Sequence, residues 1–292
     1  MQSKIEKGKS KVQELIESKS FSTRLVTGII VAAVVAIGFI FGYTIMLVFL
    51  GILSLIGLWE FYRANNLLWQ PFAVTGFIAD ILYYILIRFY GSEYTTIYMV
   101  LLFAFYAIAD IIIFVIKYPK YSLQSLFTSY FAVIYVGLLF SFLYLIRVHS
   151  WGAYLVWLAV IAAWGCDICA YLGGMILGKR KLFPVLSPKK TWEGCVSGVV
   201  GAGLFAFIYA LIVSPIIESN RHDYLLFPLI CMVAAVIGIF GDLFASAVKR
   251  QTGIKDYSSA LPGHGGILDR FDSLIVIAPV VYAVTILIRY WS

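Results

Sequence analysis

The chain has 292 residues, of which 62% are hydrophobic and only 13% are charged. This composition lies far outside the range of soluble proteins and excludes an ordinary water-soluble globular domain. A formal net charge of +7 could suit a nucleic-acid-binding protein, but the apolar runs that fill the chain indicate a membrane instead. We therefore expect an all-α, polytopic integral membrane protein.

Apolar runs long enough to cross a bilayer recur along the chain, since about 20 helical residues span the hydrocarbon core. The first 24 residues are polar and predict an amphipathic cytoplasmic segment, either on the inner leaflet or as a solvated tail. The remainder, 25–292, predicts one transmembrane catalytic domain with its active site mainly in 160–272. We predict about nine transmembrane helices, at roughly 25–42, 44–62, 72–92, 96–118, 124–147, 151–178, 192–213, 224–249 and 270–290.

The basic residues divide unequally between the two sides that nine helices would define. The side with the N-terminus would carry most of the 22 Lys and Arg residues, leaving the other side with Arg88, Arg147, Arg221 and Arg289. An excess of basic residues in cytoplasmic loops is the positive-inside signature. The split predicts a cytoplasmic N-terminus and an outside C-terminus, and it explains the net charge without a nucleic acid partner.

The densest polar stretch runs from Gly241 to Asp272, at the end of the eighth predicted helix and the start of the ninth. Polar groups are costly in a membrane protein, so a cluster of this density indicates a functional site. Asp242, Ser246 and Lys249 are spaced i, i+4 and i+7, which places them on one helix face. The run Pro-Gly-His-Gly-Gly at 262–266 predicts a loop that allows a ligand to approach the backbone closely.

Two further polar features belong to the same predicted side of the membrane. Asp167 lies in the sixth predicted helix, and the loop at 179–193 combines dense Lys with Ser and Thr hydroxyls. Carboxylates suit Mg²⁺, and ammonium and hydroxyl groups donate to phosphate oxygens. Together with Asp269 and Asp272, these residues predict a cytoplasmic site for a metal–polyphosphate substrate, although the loop could also be a plain positive-inside loop.

Asp80 and Asp110 are carboxylates inside predicted spans of the N-terminal half. An unpaired carboxylate is costly there, so each should face the helix bundle. Two interpretations stay open. The pair could help build a polar cavity, or each could be a protonated carboxyl group that hydrogen-bonds to a neighbouring helix.

The polar segments together resemble the signature of the CDP-diacylglycerol synthases, also called phosphatidate cytidylyltransferases. The residues that carry the resemblance are Asp167-x-x-Ala170-Tyr171, Ser187-Pro-Lys-Lys-Thr-x-Glu193-Gly194, Asp242, Ser246-Ala-Val-Lys249-Arg250, Lys255-Asp256 and Leu261-Pro-Gly-His-Gly-Gly-Ile-Leu-Asp-Arg-Phe-Asp272. The N-terminal half matches only in being hydrophobic and multi-spanning. The resemblance implies a helical membrane enzyme, usually dimeric, that makes CDP-diacylglycerol and pyrophosphate from CTP and phosphatidic acid with Mg²⁺.

Under this resemblance we assign roles to the polar residues. Asp242 and Asp269 are the expected principal ligands of Mg²⁺, with or without a second cation, and Asp167 and Asp272 support them. The expected catalytic residues are Asp242, Lys249, His264 and Asp269. The expected substrate-binding residues are Ser187, Lys189, Lys190, Ser246, Arg250, Lys255, Gly265, Gly266 and Arg270.

Two alternative functions remain open from the sequence. A CTP-dependent polyprenol or phytol kinase would use the same substrate chemistry but would transfer the γ-phosphate to an alcohol. A transporter with a polar site at the membrane midplane would predict inverted repeats and broken helices. No convincing internal repeat is visible in the sequence, and the polar cluster is strongly C-terminal.

Overall fold

The computed structural model of the protein describes residues 26–89, 94–149, 151–217 and 223–291. The predicted amphipathic segment at 1–24 lies outside these residues. The fold is a bundle of helices joined by short connections. In chain order the helices are α1 Val26–Ile40, α2 Tyr43–Ala64, α3 Pro71–Ile87, α4 Thr95–Ile116, α5 Leu123–Val148, α6 Gly152–Leu177, α7 Trp192–Val213, α8 Asp223–Gln251 and α9 Leu268–Trp291.

Local sequence explains where several helices begin. Gly42 precedes α2 with a φ of 99°, a conformation that favours glycine, so the chain reverses there between α1 and α2. Pro71 opens α3 at the first helical position, where its missing N–H is not needed. The hydroxyl of Ser122 accepts a hydrogen bond from the N–H of Ser125 and caps α5.

Six helices within the described residues are long and apolar enough to cross a membrane: α2, α4, α5, α6, α7 and the Tyr224–Gln251 part of α8. The apolar helices α1 and α3 are shorter. Helix α9 differs because it opens with Asp269, Arg270 and Asp272. The protein is therefore a helical integral membrane protein, and the polar start of α9 lies where a functional site was expected.

Two of the long helices contain a π-helical turn. In α5 this turn covers Val133–Leu138, and in α6 it covers Ile161–Gly165. A π turn adds a residue to a helical turn and changes the direction of the side chains that follow it; such turns often occur at functional sites. The turn in α6 ends immediately before Cys166 and Asp167.

A β-hairpin interrupts the helical fold in the basic loop between α6 and α7. Strand β1, Lys181–Phe183, pairs antiparallel with β2, Ser187–Thr191. The all-helical expectation did not include this hairpin, because the Lys-rich loop lacks the alternating apolar pattern that predicts strands. The hydroxyl of Thr191 accepts from the N–H of Gly194 at 3.2 Å, so the hairpin ends directly in the capped start of α7.

Contacts between distant segments show which connections share an end of the bundle. Near the start of α1, the Thr27 hydroxyl donates to the carbonyl of Pro262 at 3.1 Å, so α1 begins beside the α8–α9 loop. Residues 63–66 of the α2–α3 connection line a cleft with residues 252–259 of the same loop. At the opposite end, Arg147 of α5 donates to the Phe39 carbonyl of α1.

Asp80 and Asp110, the two intramembrane carboxylates noted from the sequence, each join neighbouring helices. Ser54 of α2 donates to Oδ1 of Asp80 at 3.0 Å, and Thr75 of α3 donates to Oδ1 of Asp110 at 2.6 Å. Both Asp side chains are fully buried, and Oδ2 of each has no hydrogen-bond partner among the described residues. These contacts tie α3 to α2 and α4 to α3.

Candidate active site

The first part of the site is an ion pair between the hairpin and α8. Nζ of Lys190 lies 2.6 Å from Oδ2 of Asp242, and the two side chains are 21% and 30% exposed. Ser246, one turn further along α8, places its Oγ 3.5 Å from Oδ1 of Asp242. The i, i+4 spacing therefore does put Asp242 and Ser246 on one helix face, and the basic loop supplies the cation that meets them.

Both carboxylate oxygens of Asp269 contact donor groups of the α8 end and the α8–α9 loop. Its Oδ1 lies 2.5 Å from Nζ of Lys249, and its Oδ2 accepts from the backbone N–H groups of Tyr257 at 2.8 Å and Gly266 at 2.9 Å. The Asp269 side chain is only 2% exposed. In this arrangement Asp269 fixes the end of α8 and the α8–α9 loop to the first turn of α9.

Three more charged groups lie close to the Lys190–Asp242 pair. Asp272, which is buried, interacts electrostatically with Asp242, Lys249 and Asp167. Asp167 interacts in turn with Asp242, Lys190 and Arg270. Since these groups come from α6, β2, α8 and α9, four separate elements supply charge to one place.

Asp167 also faces a cleft of about 350 Å³ between α6, the hairpin and the start of α7. Its polar lining comes from Asp167, Lys189, Lys190 and Thr191, and its apolar lining includes Met175 and Ile239. Asp167 is exposed to this cleft. A cleft with a carboxylate and two ammonium groups at its wall can hold a metal ion and phosphate oxygens together.

The glycines of the 262–266 loop are explained by two carboxylates. Gly265 has a φ of +82°, and a Cβ added there would lie 2.9 Å from Oδ2 of Asp269. A Cβ at Gly266 would lie 2.5 Å from Oε1 of Glu60. The backbone passes so close to both carboxylates that a side chain is excluded; the predicted approach of a phosphate to these glycines remains a prediction.

Glu60 of α2 is a site residue that the sequence analysis missed. It is fully buried, and its carboxylate accepts hydrogen bonds from the Ser258 hydroxyl at 2.5 Å, the Ile267 N–H at 2.9 Å and the Leu268 N–H at 2.7 Å. A carboxylate at a helix N-terminus satisfies free N–H groups and complements the helix dipole. The one available signal was a lone acidic residue inside the apolar run of α2, which gives no information about its partner.

His264 lies against α1. Its Nδ1 is buried and has no hydrogen-bond partner among the described residues, and a methyl group added to Gly28 would lie 3.6 Å from its Nε2. In this structure His264 therefore contributes to the contact between the α8–α9 loop and the start of α1. Its predicted role as a phosphate donor remains a prediction.

The remaining predicted substrate-binding residues are distributed around the centre. Lys189 lines the cleft beside Asp167, and Ser187 begins β2. Arg270 is exposed and is close enough to Asp167 for their charges to interact. Lys255 lines a second cleft with Arg63, and Arg250 is exposed in the last turn of α8.

The carboxylate oxygens of Asp167, Asp242 and Asp272 are the ligand type that Mg²⁺ prefers. No group of three or more His, Cys, Asp or Glu within the described residues is arranged to hold a metal ion. Asp242 and Asp269 are instead paired with Lys190 and Lys249. The donor chemistry of Asp167, Asp242 and Asp272 fits the cation. Asp242 would have to release Lys190 to bind it, and Asp269 would have to release Lys249 and two backbone N–H groups.

Comparisons with known proteins agree with this chemistry. A family model described as the cytidylyltransferase family matches residues 22–288. A protein named phosphatidate cytidylyltransferase from Thermotoga maritima is 36% identical over 168 residues, which cover 58% of this chain and 62% of that protein. Proteins with the same name from Bacillus subtilis and Rickettsia bellii are 43% identical over 152 and 139 residues, covering 52% and 46% of this chain. These two matches span 55% and 58% of the respective relatives. For all three relatives, the matched region is therefore less than two thirds of the relative's length.

Proposed function

Because the chain belongs to the cytidylyltransferase family, we propose that it transfers the CMP group of CTP to phosphatidic acid and releases pyrophosphate. The product is CDP-diacylglycerol, a precursor in phospholipid biosynthesis. The observation that carries the proposal is that Asp167 and Lys190 line the cleft between α6, the hairpin and the start of α7, and that Lys190 is paired with Asp242 of α8. Relatives named phosphatidate cytidylyltransferase support the identity of both substrates.

The reaction joins two anions, so the site must neutralise and align them. A phosphatidate oxygen attacks the α-phosphorus of CTP, and pyrophosphate leaves. Lys190 and Lys189 stand at the cleft wall, where their ammonium groups bind phosphate oxygens. The phosphate nucleophile is already deprotonated near neutral pH, so the mechanism needs no general base.

A divalent cation completes this charge balance. Bound Mg²⁺ would supply positive charge that stabilises the negative charge developing on the phosphate oxygens. Asp167, Asp242 and Asp272 are the residues that would hold it. Lys190 would then exchange its contact with Asp242 for one with phosphate, which keeps both groups paired when the substrate is bound.

The proposal extends to topology and assembly. The nine helices α1–α9 would each cross or enter the membrane, with the N-terminus and the active site cytoplasmic and the C-terminus outside. The positive-inside distribution of Lys and Arg supports this orientation. A homodimer is the assembly that the family resemblance implies, and crosslinking of the protein in native membranes would test it.

The test determines which phosphorus of CTP is transferred to the lipid. Purified protein is supplied with phosphatidic acid, Mg²⁺ and CTP labelled at either the α- or the γ-phosphorus. We expect the α-label in the lipid product and the γ-label in pyrophosphate. Lipid labelled only from γ-labelled CTP, with a polyprenol or phytol as acceptor, would assign a kinase. Lipid that carries neither label would overturn the proposal.

A further inference from the structure

Glu193, in the first turn of α7, binds the backbone at the other end of the hairpin. Its Oε2 accepts hydrogen bonds from the backbone N–H groups of Lys179 at 3.0 Å and Arg180 at 3.2 Å, and its Oε1 accepts from Arg180 at 3.3 Å. Residues 179 and 180 lead from α6 into β1, whereas Glu193 follows β2. The carboxylate therefore bridges the two ends of the hairpin.

Neighbouring contacts close the same end of the hairpin, which we call its base. The N–H of Trp192 donates to the Arg180 carbonyl at 2.9 Å, and Lys181 is paired with Thr191 in the strand register. A Cβ added to Gly178 would lie 2.9 Å from Oγ1 of Thr191, so the end of α6 also packs closely against β2. The base is thus the part of the hairpin that is attached to the helix bundle.

Lys190 lies beside this base, three residues before Glu193 in the chain. Its Nζ is 2.6 Å from Oδ2 of Asp242, and its side chain lines the cleft of Asp167. A lysine has a flexible four-carbon stem, so ordering it at a ligand costs side-chain entropy. A backbone that is already fixed reduces the ordering that remains when Lys190 binds phosphate.

Glu193 itself is not placed to contact a substrate. It is not among the described residues that line the cleft of Asp167. Both of its oxygens accept instead from backbone N–H groups, and such hydrogen bonds are strong because the acceptor is charged. The geometry therefore indicates an indirect role, through the hairpin.

We propose that Glu193 is a positioning residue of the active site: its carboxylate fixes the base of the hairpin and thereby keeps Lys190 at the cleft beside Asp242. This inference rests on the proposed function, because it takes Lys190 as a phosphate-binding residue. It explains why an otherwise basic loop is followed by an acidic side chain, and it places that side chain's partners in the backbone.

Glu193→Ala removes the carboxylate and tests the proposal in the full-length protein. We expect kcat/KM for CTP to fall about tenfold or more, as for the loss of hydrogen bonds to a charged group. The thermal midpoint should stay near wild type, because the helix packing is untouched. Glu193→Gln keeps a carbonyl oxygen that can accept from the same N–H groups, so it should lose clearly less activity than Glu193→Ala.

A double variant tests whether Glu193 acts through Lys190. Lys190→Ala alone should lower kcat/KM for CTP, since it removes the ammonium group. Adding Glu193→Ala to Lys190→Ala should lower it by less than about threefold further, because residues that act through one another are not additive. A residue that contributed only to overall stability would instead lower activity equally in both backgrounds.

Trypsin measures the hairpin without reference to activity. It cleaves after the basic residues of this segment, which are Lys179, Arg180, Lys181, Lys189 and Lys190. Local opening exposes such bonds, so Glu193→Ala in membrane vesicles should release hairpin peptides several-fold faster than wild type. Val185→Ala is the matched control: Val185 lies between the two strands and is 88% exposed, so both cleavage and kcat/KM should stay near wild type.

The outcomes separate the positioning role from the proposed function. Wild-type kcat/KM in Glu193→Ala, or a full additional loss in the Lys190→Ala background, would overturn the positioning role and leave the proposed function standing. Unchanged cleavage of the hairpin would also overturn it, as would a loss of activity matched by a lower thermal midpoint. A wild-type protein that transfers no CMP would refute the proposed function, whereas the cleavage experiment would still show whether Glu193 fixes the hairpin.

Discussion

At the scale of single residues, the two aspartate–lysine pairs differ in how deeply they are placed. Lys190 and Asp242 are about a quarter exposed, whereas Asp269 is nearly inaccessible beside Lys249. Burial alone would lower the pKa of Lys190, but the charge and the hydrogen bond of Asp242 outweigh it, so the pKa of Lys190 is raised. Lys190 therefore remains a cation near neutral pH, which its proposed role in phosphate binding requires.

Asp242→Asn should remove activity with little loss of stability. An exposed ion pair contributes about 0–1 kcal/mol to folding, so the thermal midpoint should change little. The kcat for CMP transfer should fall about 100-fold or more, equivalent to about 3 kcal/mol of transition-state stabilisation. Asp80→Asn is the control, since Asp80 is a buried carboxylate outside the site, and its kcat should stay near wild type. Equal losses in the two variants would contradict the division between catalytic and structural carboxylates.

Asp269→Asn should reduce both activity and stability. Breaking a buried ion pair by removing one partner costs about 3–5 kcal/mol, because Lys249 would be left with an uncompensated charge. We expect a clearly lower thermal midpoint together with a loss of kcat of about 100-fold or more. The thermal midpoint and kcat of Asp269→Asn should be measured beside those of Asp242→Asn. If both values of Asp269→Asn were normal, Asp269 would be needed neither for stability nor for activity.

At the scale of elements, α2 and α9 are joined by Glu60, which caps the first turn of α9. Three donors converge on one buried carboxylate, and the Gly266 backbone passes directly over it. The α8–α9 loop is therefore held by a helix from the half of the chain that lacks the motifs. Any shift of α2 would move the α8–α9 loop and the first turn of α9, which carries Asp269.

The close contact between Glu60 and Gly266 predicts coupled mutational effects. Gly266→Ala alone should be destabilising, because its Cβ would lie 2.5 Å from Oε1 of Glu60. Glu60→Ala should also be destabilising, because it leaves three donors unpaired. In the double variant the clash is gone, so the combined loss should be smaller than the sum, by about 1 kcal/mol or more. Denaturation midpoints of the four proteins measure this, and strict additivity would contradict the contact.

The element boundaries were largely predictable, whereas the partners across the bundle were not. The predicted span 192–213 coincides with α7, and 124–147 differs from α5 by one residue at each end. Long apolar runs with polar interruptions specify helix ends directly. Glu60 could not be found in this way, because a polar residue inside an apolar run does not reveal which helix it faces. The run 262–266 was predicted as a loop, but Glu60, the carboxylate against which Gly266 packs, comes from elsewhere in the chain.

At the scale of the whole molecule, the α1 start, the α2–α3 connection and the α8–α9 loop share one end of the bundle. The α1–α2 turn and the α5–α6 turn meet at the other end. These connections alternate between the two ends of the bundle along the chain, as the proposed topology requires. It places the active site and the basic loop toward the end that we expect to be cytoplasmic.

Cysteine labelling tests that orientation. In a background without Cys166, Cys169, Cys195 and Cys231, a cysteine replacing the exposed Ser259 should react with an impermeant thiol reagent only from the cytoplasmic side. A cysteine replacing Tyr94, which is 56% exposed in the α3–α4 connection, should react only from outside. Intact and inverted membrane vesicles provide the two sides. Reaction of both positions from the same side would contradict the proposed topology.

The cap that Glu60 forms on α9 also bears on how the protein is made. Glu60 and its partner Leu268 are separated by 208 residues, so α2 is synthesised long before α9, whose first backbone N–H donates a hydrogen bond to the Glu60 carboxylate. Until α9 is inserted, Glu60 is an unpaired acid in a nascent membrane helix. The contact between Glu60 and the first turn of α9 can therefore form only after α9 has been synthesised.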